Sequence, residues 1–116
     1  MKKDLVIFLK HIEESIGYVL DYSKGINFLT FKKEKKLQDA ILRRIEIIGE
    51  AIKNLPIEMN LKYPQVKWSQ IAGMRDKLIH QYFGVDLEIV WNVIKEEIPK
   101  LNKQIKKIIE EENKNE

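Results

Sequence analysis

Apolar residues recur every three to four positions along most of this chain, a period that suits helices and little else. Leu5, Phe8, Leu9, Ile12, Ile16, Val19 and Leu20 form one stripe. Leu37, Ala40, Ile41, Ile45, Ile48, Ile52 and Leu55 form a second, and Leu87, Val90, Val93, Ile94, Ile98, Leu101, Ile105 and Ile108 a third. No run alternates apolar and polar residues long enough to make a strand, and no repeat or low-complexity linker divides the chain. A helix with one apolar face must bury it against a partner. At 116 residues the chain reads as a single domain over 1–116 with one core. The expected fold class is all-α: an antiparallel bundle of about four long helices plus one short helix.

Punctuating residues suggest the boundaries. A first helix should run from about 3 to 22 and close at Ser23-Lys24-Gly25, with Gly25 as its C-terminal cap. The second should start after Thr30 as N-cap and reach about Leu55. Pro56 can open a short helix to about Lys62, followed by a turn at Tyr63-Pro64. Ser69 is the expected cap of a helix carrying Ile71, Met74 and Leu78, which Gly84 should end. Asp86 should cap the last long helix. Pro99 sits inside that helix, where it removes a backbone donor and crowds the preceding turn. A kink or split near Ile98 follows. Residues 110–116 are polar and expected to fray.

Composition removes several classes of function. There is no cysteine, so disulfides and thiolate metal sites are excluded, in keeping with a cytoplasmic protein. Lys10, His11 and Glu13 interrupt the apolar run after Met1-Lys2-Lys3 too early for a signal peptide. No apolar run reaches membrane length, so no membrane association is expected. HExxH, Glu-x-x-His and clustered acidic ligand spacings are absent, as are a glycine-rich phosphate loop and a Gly-x-Ser-x-Gly elbow. No metal site and no cofactor are expected. The net charge of +3 permits a nucleic-acid partner without specifying one.

The residues with chemistry lie in Arg75-Asp76-Lys77-Leu78-Ile79-His80-Gln81-Tyr82. The segment holds one of only two histidines in the chain. Arginine grips phosphates bidentately, and histidine moves protons near neutral pH. On an ideal helix a separation of five residues means about 140° of rotation and roughly 7.5 Å of rise, so Arg75 and His80 do not share a narrow face. Pairing them requires the helix to end or loosen near His80, or a second copy of the motif across a two-fold axis. Other candidates read as scaffold. Arg43, Glu46 and Glu50 suit a solvated, salt-bridged helix face better than an acid–base pair. The lysines at 95, 100, 103, 106 and 107 are interrupted by glutamates and read as a mixed surface. His11 has no partner pattern.

With its flanks, the segment resembles a known family. Arg75-Asp76-x3-His80-x-Tyr82 fits the Arg-x4-His-x-Tyr motif of the HepT-like toxins of the HEPN superfamily (DUF86-type). Ile71-Ala72-Gly73-Met74 precedes it and Phe83-Gly84-Val85-Asp86 follows it in matching fashion. Arg44-Ile45-Glu46-Ile47-Ile48-Gly49-Glu50-Ala51 resembles the family's second-helix signature, and Tyr63-Pro64 and Trp68 sit where it has a short loop. The resemblance implies a HEPN-like helical homodimer whose motifs meet at the subunit cleft and act as a metal-independent endoribonuclease on RNA such as tRNA or mRNA. It also implies the toxin of a type VII-like toxin–antitoxin pair, with an MNT-type nucleotidyltransferase as antitoxin that uses ATP to adenylylate the motif tyrosine. Carried over, Arg75 stabilises the scissile phosphate, His80 transfers protons, Asp76 supports them and Tyr82 accepts AMP. Asp76 departs from the more usual asparagine, which places a carboxylate beside a phosphate site.

Two other readings are open. A helical module could bind a nucleotidyltransferase without cutting RNA, and a helix pair around Gly84 could resemble a helix-turn-helix. The helix after Asp86 is too long, and too acidic at its start, for a recognition helix.

Overall fold

The computed structural model describes residues 2–74, 76–78 and 86–114. Among these residues there is no strand. Helix α1 (Lys2–Ser23) is followed by a short α2 (Phe28–Lys33), a long α3 (Lys35–Lys53), and two short helices, α4 (Ile57–Lys62) and α5 (Trp68–Ala72). Residues 76–78 are again helical. The chain then forms α6 (Leu87–Asn92), a π-helical segment (Val93–Glu97) and α7 (Ile98–Lys114) without interruption.

The all-α fold class stands, and α1, α3 and the rod from Leu87 to Lys114 are its long members. Contacts along α1 show how they run. Its C-terminal end meets Lys95, which donates to the Ser23 carbonyl at 3.5 Å, and Glu13 pairs with Lys106 at 3.0 Å. The rod is therefore antiparallel to α1. Arg44 of α3 stacks on Tyr18, while Leu5 and Phe8 share a groove with Asn54 and Leu55. So α3 is antiparallel to α1 as well.

One core joins the three stripes. Leu9, Ile12, Ile16, Ile41, Ile45, Ile48, Ile94, Ile98, Ile105 and Ile108 are almost fully buried. In α1 the buried line also takes Val6, whereas Leu5, Phe8 and Leu20 only flank it. Gly25 adopts φ +74°, the left-handed conformation that a C-terminal glycine cap supplies.

The second helix starts earlier than Thr30 and is broken. Asn27 is its N-cap: the side-chain oxygen accepts the Thr30 N–H at 2.9 Å, which makes Thr30 an interior residue. The helix stops at Glu34, which adopts an extended conformation. Buried Gln38 stabilises the break by donating to the Phe31 carbonyl at 2.8 Å and the Lys32 carbonyl at 3.0 Å. The break seats Phe31 in the core, its ring centroid 5.1 Å from that of Trp91 on α6.

Ser69 is not a cap either. Helix α5 starts one residue before it, with Lys67 in the cap position and no side-chain capping bond. The expected long helix is interrupted at Gly73, a turn residue. The expected end at Gly84 lies outside the described residues. Asp86 caps α6 as expected, accepting the Ile89 N–H at 3.4 Å. Pro99 acts upstream of itself. Its ring would crowd the carbonyl of Lys95, so the chain widens into π geometry, and the Ile98 N–H bonds to the Val93 carbonyl five residues back.

The tail is better ordered than its composition suggests. Helix α7 continues to Lys114, and Glu112 is buried. Its carboxylate accepts from the Tyr63 hydroxyl at 2.5 Å and from the Lys62 ammonium at 2.7 Å. Residues 115 and 116 lie outside the described residues. Burial and the bond to Glu112 push the Tyr63 hydroxyl well above the ordinary tyrosine range. A pKa raised on folding contributes stability that is fully present below the unfolded value of about 10 and is lost progressively as the pH rises above it. Tyr63→Phe should therefore cost about 1.5–3 kcal/mol at neutral pH by removing a hydrogen bond to a buried charge. The difference in melting temperature between wild type and variant should shrink above about pH 10. Thermal melts by circular dichroism from pH 7 to 11 check both; a pH-independent difference would exclude titration of Tyr63.

Candidate active site

Arg75, His80 and Tyr82 lie outside the described residues. Their described neighbours show how the segment is held. Met74 is buried and Leu78 fully so, one helical turn apart, and both belong to the main core. Asp76 and Lys77 are exposed. The Lys77 N–H bonds to the Gly73 carbonyl at 3.2 Å, so the helical hydrogen bonding restarts at the glycine turn. Upstream, the Trp68 indole N–H donates to the Tyr63 carbonyl at 2.9 Å, which fastens the start of α5 to the end of α4. Tyr63 and Trp68 are both buried and act as scaffold.

Beside this segment lies an open cleft of about 360 Å³. One wall is formed by Lys67, Gln70, Gly73, Met74 and Lys77, which run up to and past the motif arginine in the chain. The other wall comes from the π segment and α7, including Glu97, Lys100 and Gln104. Ile71 provides apolar surface, backed by the buried Ile98 and Leu101. Gln104 ties the walls together by donating to the Gln65 carbonyl at 3.4 Å. Its described lining thus carries three lysines against one carboxylate.

The other sequence candidates resolve as scaffold. Arg43 pairs with Glu46 at 3.4 Å on an exposed face, and Glu50 is exposed. Arg44 stacks over the Tyr18 ring, 4.2 Å from its centroid. His11 is exposed. The basic residues of the last helix do not act together: Lys95 lies 4.8 Å from the Trp91 ring centroid, Lys106 pairs with Glu13, and Lys100 enters the cleft. Sequence reading missed Lys67 and Lys77, because residues far apart in the chain show no basic pattern until the fold gathers them. Among the described residues no three His, Cys, Asp or Glu side chains are grouped to hold a metal ion, and no helix is long and apolar enough to cross a membrane.

The family model described as ribonuclease HepT-like matches residues 12–108, which include the whole motif segment and both walls of the cleft. The chain belongs to the HepT-like ribonuclease family. It is 50% identical over 105 residues to a candidate RNase of Caldanaerobacter subterraneus subsp. tengcongensis, covering 90% of this chain and 94% of that one. It is 42% identical over 108 residues to a candidate ribonuclease HepT of Thermococcus cleftensis, covering 93% and 98% respectively. A Methanocaldococcus jannaschii protein named as a gamma-glutamylcyclotransferase and candidate RNase is 54% identical over 115 residues. That match takes in 99% of this chain but 52% of the relative, so the chain spans about half the length of that protein. No solved structure matches the chain.

Proposed function

We propose that this protein is a metal-independent endoribonuclease, the toxin of a toxin–antitoxin pair, with Arg75 and His80 as its catalytic residues. The observation that carries the reading is the Arg75-x4-His80-x-Tyr82 motif inside a family match that spans residues 12–108. RNA brings its own nucleophile. The 2′-oxygen attacks the adjacent phosphorus and loses its proton while the 5′-oxygen leaves and gains one. The products are a 2′,3′-cyclic phosphate and a 5′-hydroxyl. Arg75 neutralises charge on the phosphoryl oxygens and His80 moves the proton. A two-fold homodimer brings a second copy of the motif across the subunit cleft, which resolves the angular separation of Arg75 and His80 on an ideal helix.

The regulatory half of the proposal rests on Tyr82. AMP on its hydroxyl adds bulk and negative charge beside a phosphate site and excludes RNA. The donor is ATP: the Tyr82 oxygen loses its proton and attacks the α-phosphorus, the α–β anhydride bond breaks and pyrophosphate leaves, and the enzyme is an MNT-type nucleotidyltransferase. Asp76 supports the site by orienting Arg75 or His80.

One experiment tests both halves. Protein free of AMP by intact mass is incubated with total RNA and tRNA in EDTA, with and without prior exposure to the nucleotidyltransferase and ATP, beside Tyr82→Phe. Wild type should cut, leave cyclic phosphate ends and be silenced by the treatment, while Tyr82→Phe should cut throughout. Ends carrying 3′-hydroxyls would refute the mechanism. Full neutralisation of Tyr82→Phe would replace adenylylation by simple binding. Absence of cleavage would favour a non-catalytic helical module that associates with the nucleotidyltransferase.

A further inference from the structure

We infer that the cleft between the motif segment and the π segment is a subsite for a nucleotide of single-stranded RNA next to the scissile bond, with Lys77 and Lys100 holding its phosphate. The inference rests on the ribonuclease reading and adds a binding site to it.

Size is the first argument. About 360 Å³ is at the scale of small-molecule sites, and the cleft is open, so a chain can enter and leave it. Charge is the second. Among the described lining residues Glu97 is the one acidic group beside Lys67, Lys77 and Lys100, and none of the three lysines makes an ion pair among the described residues. Some lysines outside the cleft are engaged, Lys62 with Glu112, Lys106 with Glu13 and Lys95 over Trp91. Cations gathered in a cleft focus positive potential and attract a polyanion.

The lining supplies the third argument. Gln65, Gln70 and Gln104 each carry a donor and an acceptor, suited to base edges and the 2′-hydroxyl. Partly exposed Ile71 offers apolar surface to a base face, with Met74 and Leu101 buried behind it. A duplex cannot present an unstacked base to such a cleft, so single-stranded RNA is the preferred form. The π segment shapes one wall, since Val93 and Glu97 are its first and last residues and both line the cleft. π-Bulges recur at functional sites, and here Pro99 produces the bulge.

The test uses a fluorescein-labelled 12-nucleotide 2′-O-methyl RNA, which cannot be cleaved because its nucleophile is blocked. Its binding to the full chain is read by anisotropy in EDTA across salt concentrations, with cleavage of the unmodified oligonucleotide in parallel. The double variant Lys77→Ala/Lys100→Ala should bind about tenfold more weakly. Its log–log salt slope should be shallower by about 0.7, as expected for one lost phosphate contact on a single strand. Glu97→Gln should bind more tightly. Lys32→Ala/Lys33→Ala, on α2 and outside the cleft, should match wild type in binding and cleavage. In cleavage the cleft variant should raise KM more than it lowers kcat. The replaced lysines are exposed, so melting temperature should not change. Wild-type affinity and salt slope in Lys77→Ala/Lys100→Ala would overturn the subsite while leaving the ribonuclease reading intact. Lysine-dependent binding without cleavage would support the subsite and remove the nuclease. Failure of the wild type to bind the oligonucleotide would overturn the subsite outright.

Discussion

Replacing His80 with alanine should lower RNA cleavage by about 10²- to 10⁴-fold, the range that a positioned acid–base group contributes. Arg75→Ala should cost about 10²- to 10³-fold, because the lost donors act where negative charge develops. Arg75→Lys keeps the charge but loses the bidentate geometry, so it should recover only part of that loss. The double variant should be little worse than the weaker single one, since residues that act as a unit are not additive. A histidine that moves the proton makes the rate depend on its protonation state, so the wild-type pH profile should have a limb that the residual activity of His80→Ala lacks. Initial rates on a labelled oligonucleotide between pH 5 and 9, in EDTA, measure all of this. Cleavage by His80→Ala at the wild-type rate with the same ends would remove His80 from the mechanism.

The sequence carried the helices further than it carried their ends. Most of each stripe is buried, with Leu5, Phe8, Leu20, Leu37, Leu87 and Val93 at its margins, because apolar period depends on local spacing alone. Capping was harder. Asn27 and Thr30 are both good caps, and the choice between them follows from seating Phe31 against Trp91 across the bundle. The break at Glu34 depends on Gln38 reaching back to carbonyls six and seven residues earlier, which no local rule anticipates. Glu112 sits in a run of charged residues that reads as solvent-facing until Tyr63 and Lys62 are placed beside it. Pro99 was legible as a defect, but the form of the defect depended on how the rod packs. The motif rests on the sequence alone: Arg75, His80 and Tyr82 fall within eight residues and lie outside the described residues. The cleft beside it was not legible there: Lys67, Lys77 and Lys100 come together only through the fold.

Phe31→Ala should have the largest effect on stability. The side chain is fully buried, and its ring meets Trp91 with centroids 5.1 Å apart, while Phe28 lies 6.3 Å from the same indole. Removing a buried phenylalanine costs about 3–5 kcal/mol, part in lost transfer energy and part in the cavity left behind. At about 2.1 cal/mol/K per residue the unfolding entropy of a chain this long is roughly 0.24 kcal/mol/K, so each kcal/mol is worth about 4 °C. A fall of about 12–20 °C in melting temperature follows. Phe31→Leu keeps most of the volume and loses the ring contact, and should fall by a third of that or less. The site should feel the change too. Phe31 packs α2 against α6, the helix that Asp86 opens immediately after the motif segment. Loosening that seam should lower cleavage at temperatures where the variant is still folded, whereas Tyr63→Phe, whose bond joins α4 to the tail, should lower stability alone. Calorimetry together with cleavage assays 20 °C below each melting point separates the two. A shift under about 4 °C in Phe31→Ala would mean that this seam contributes little to the fold.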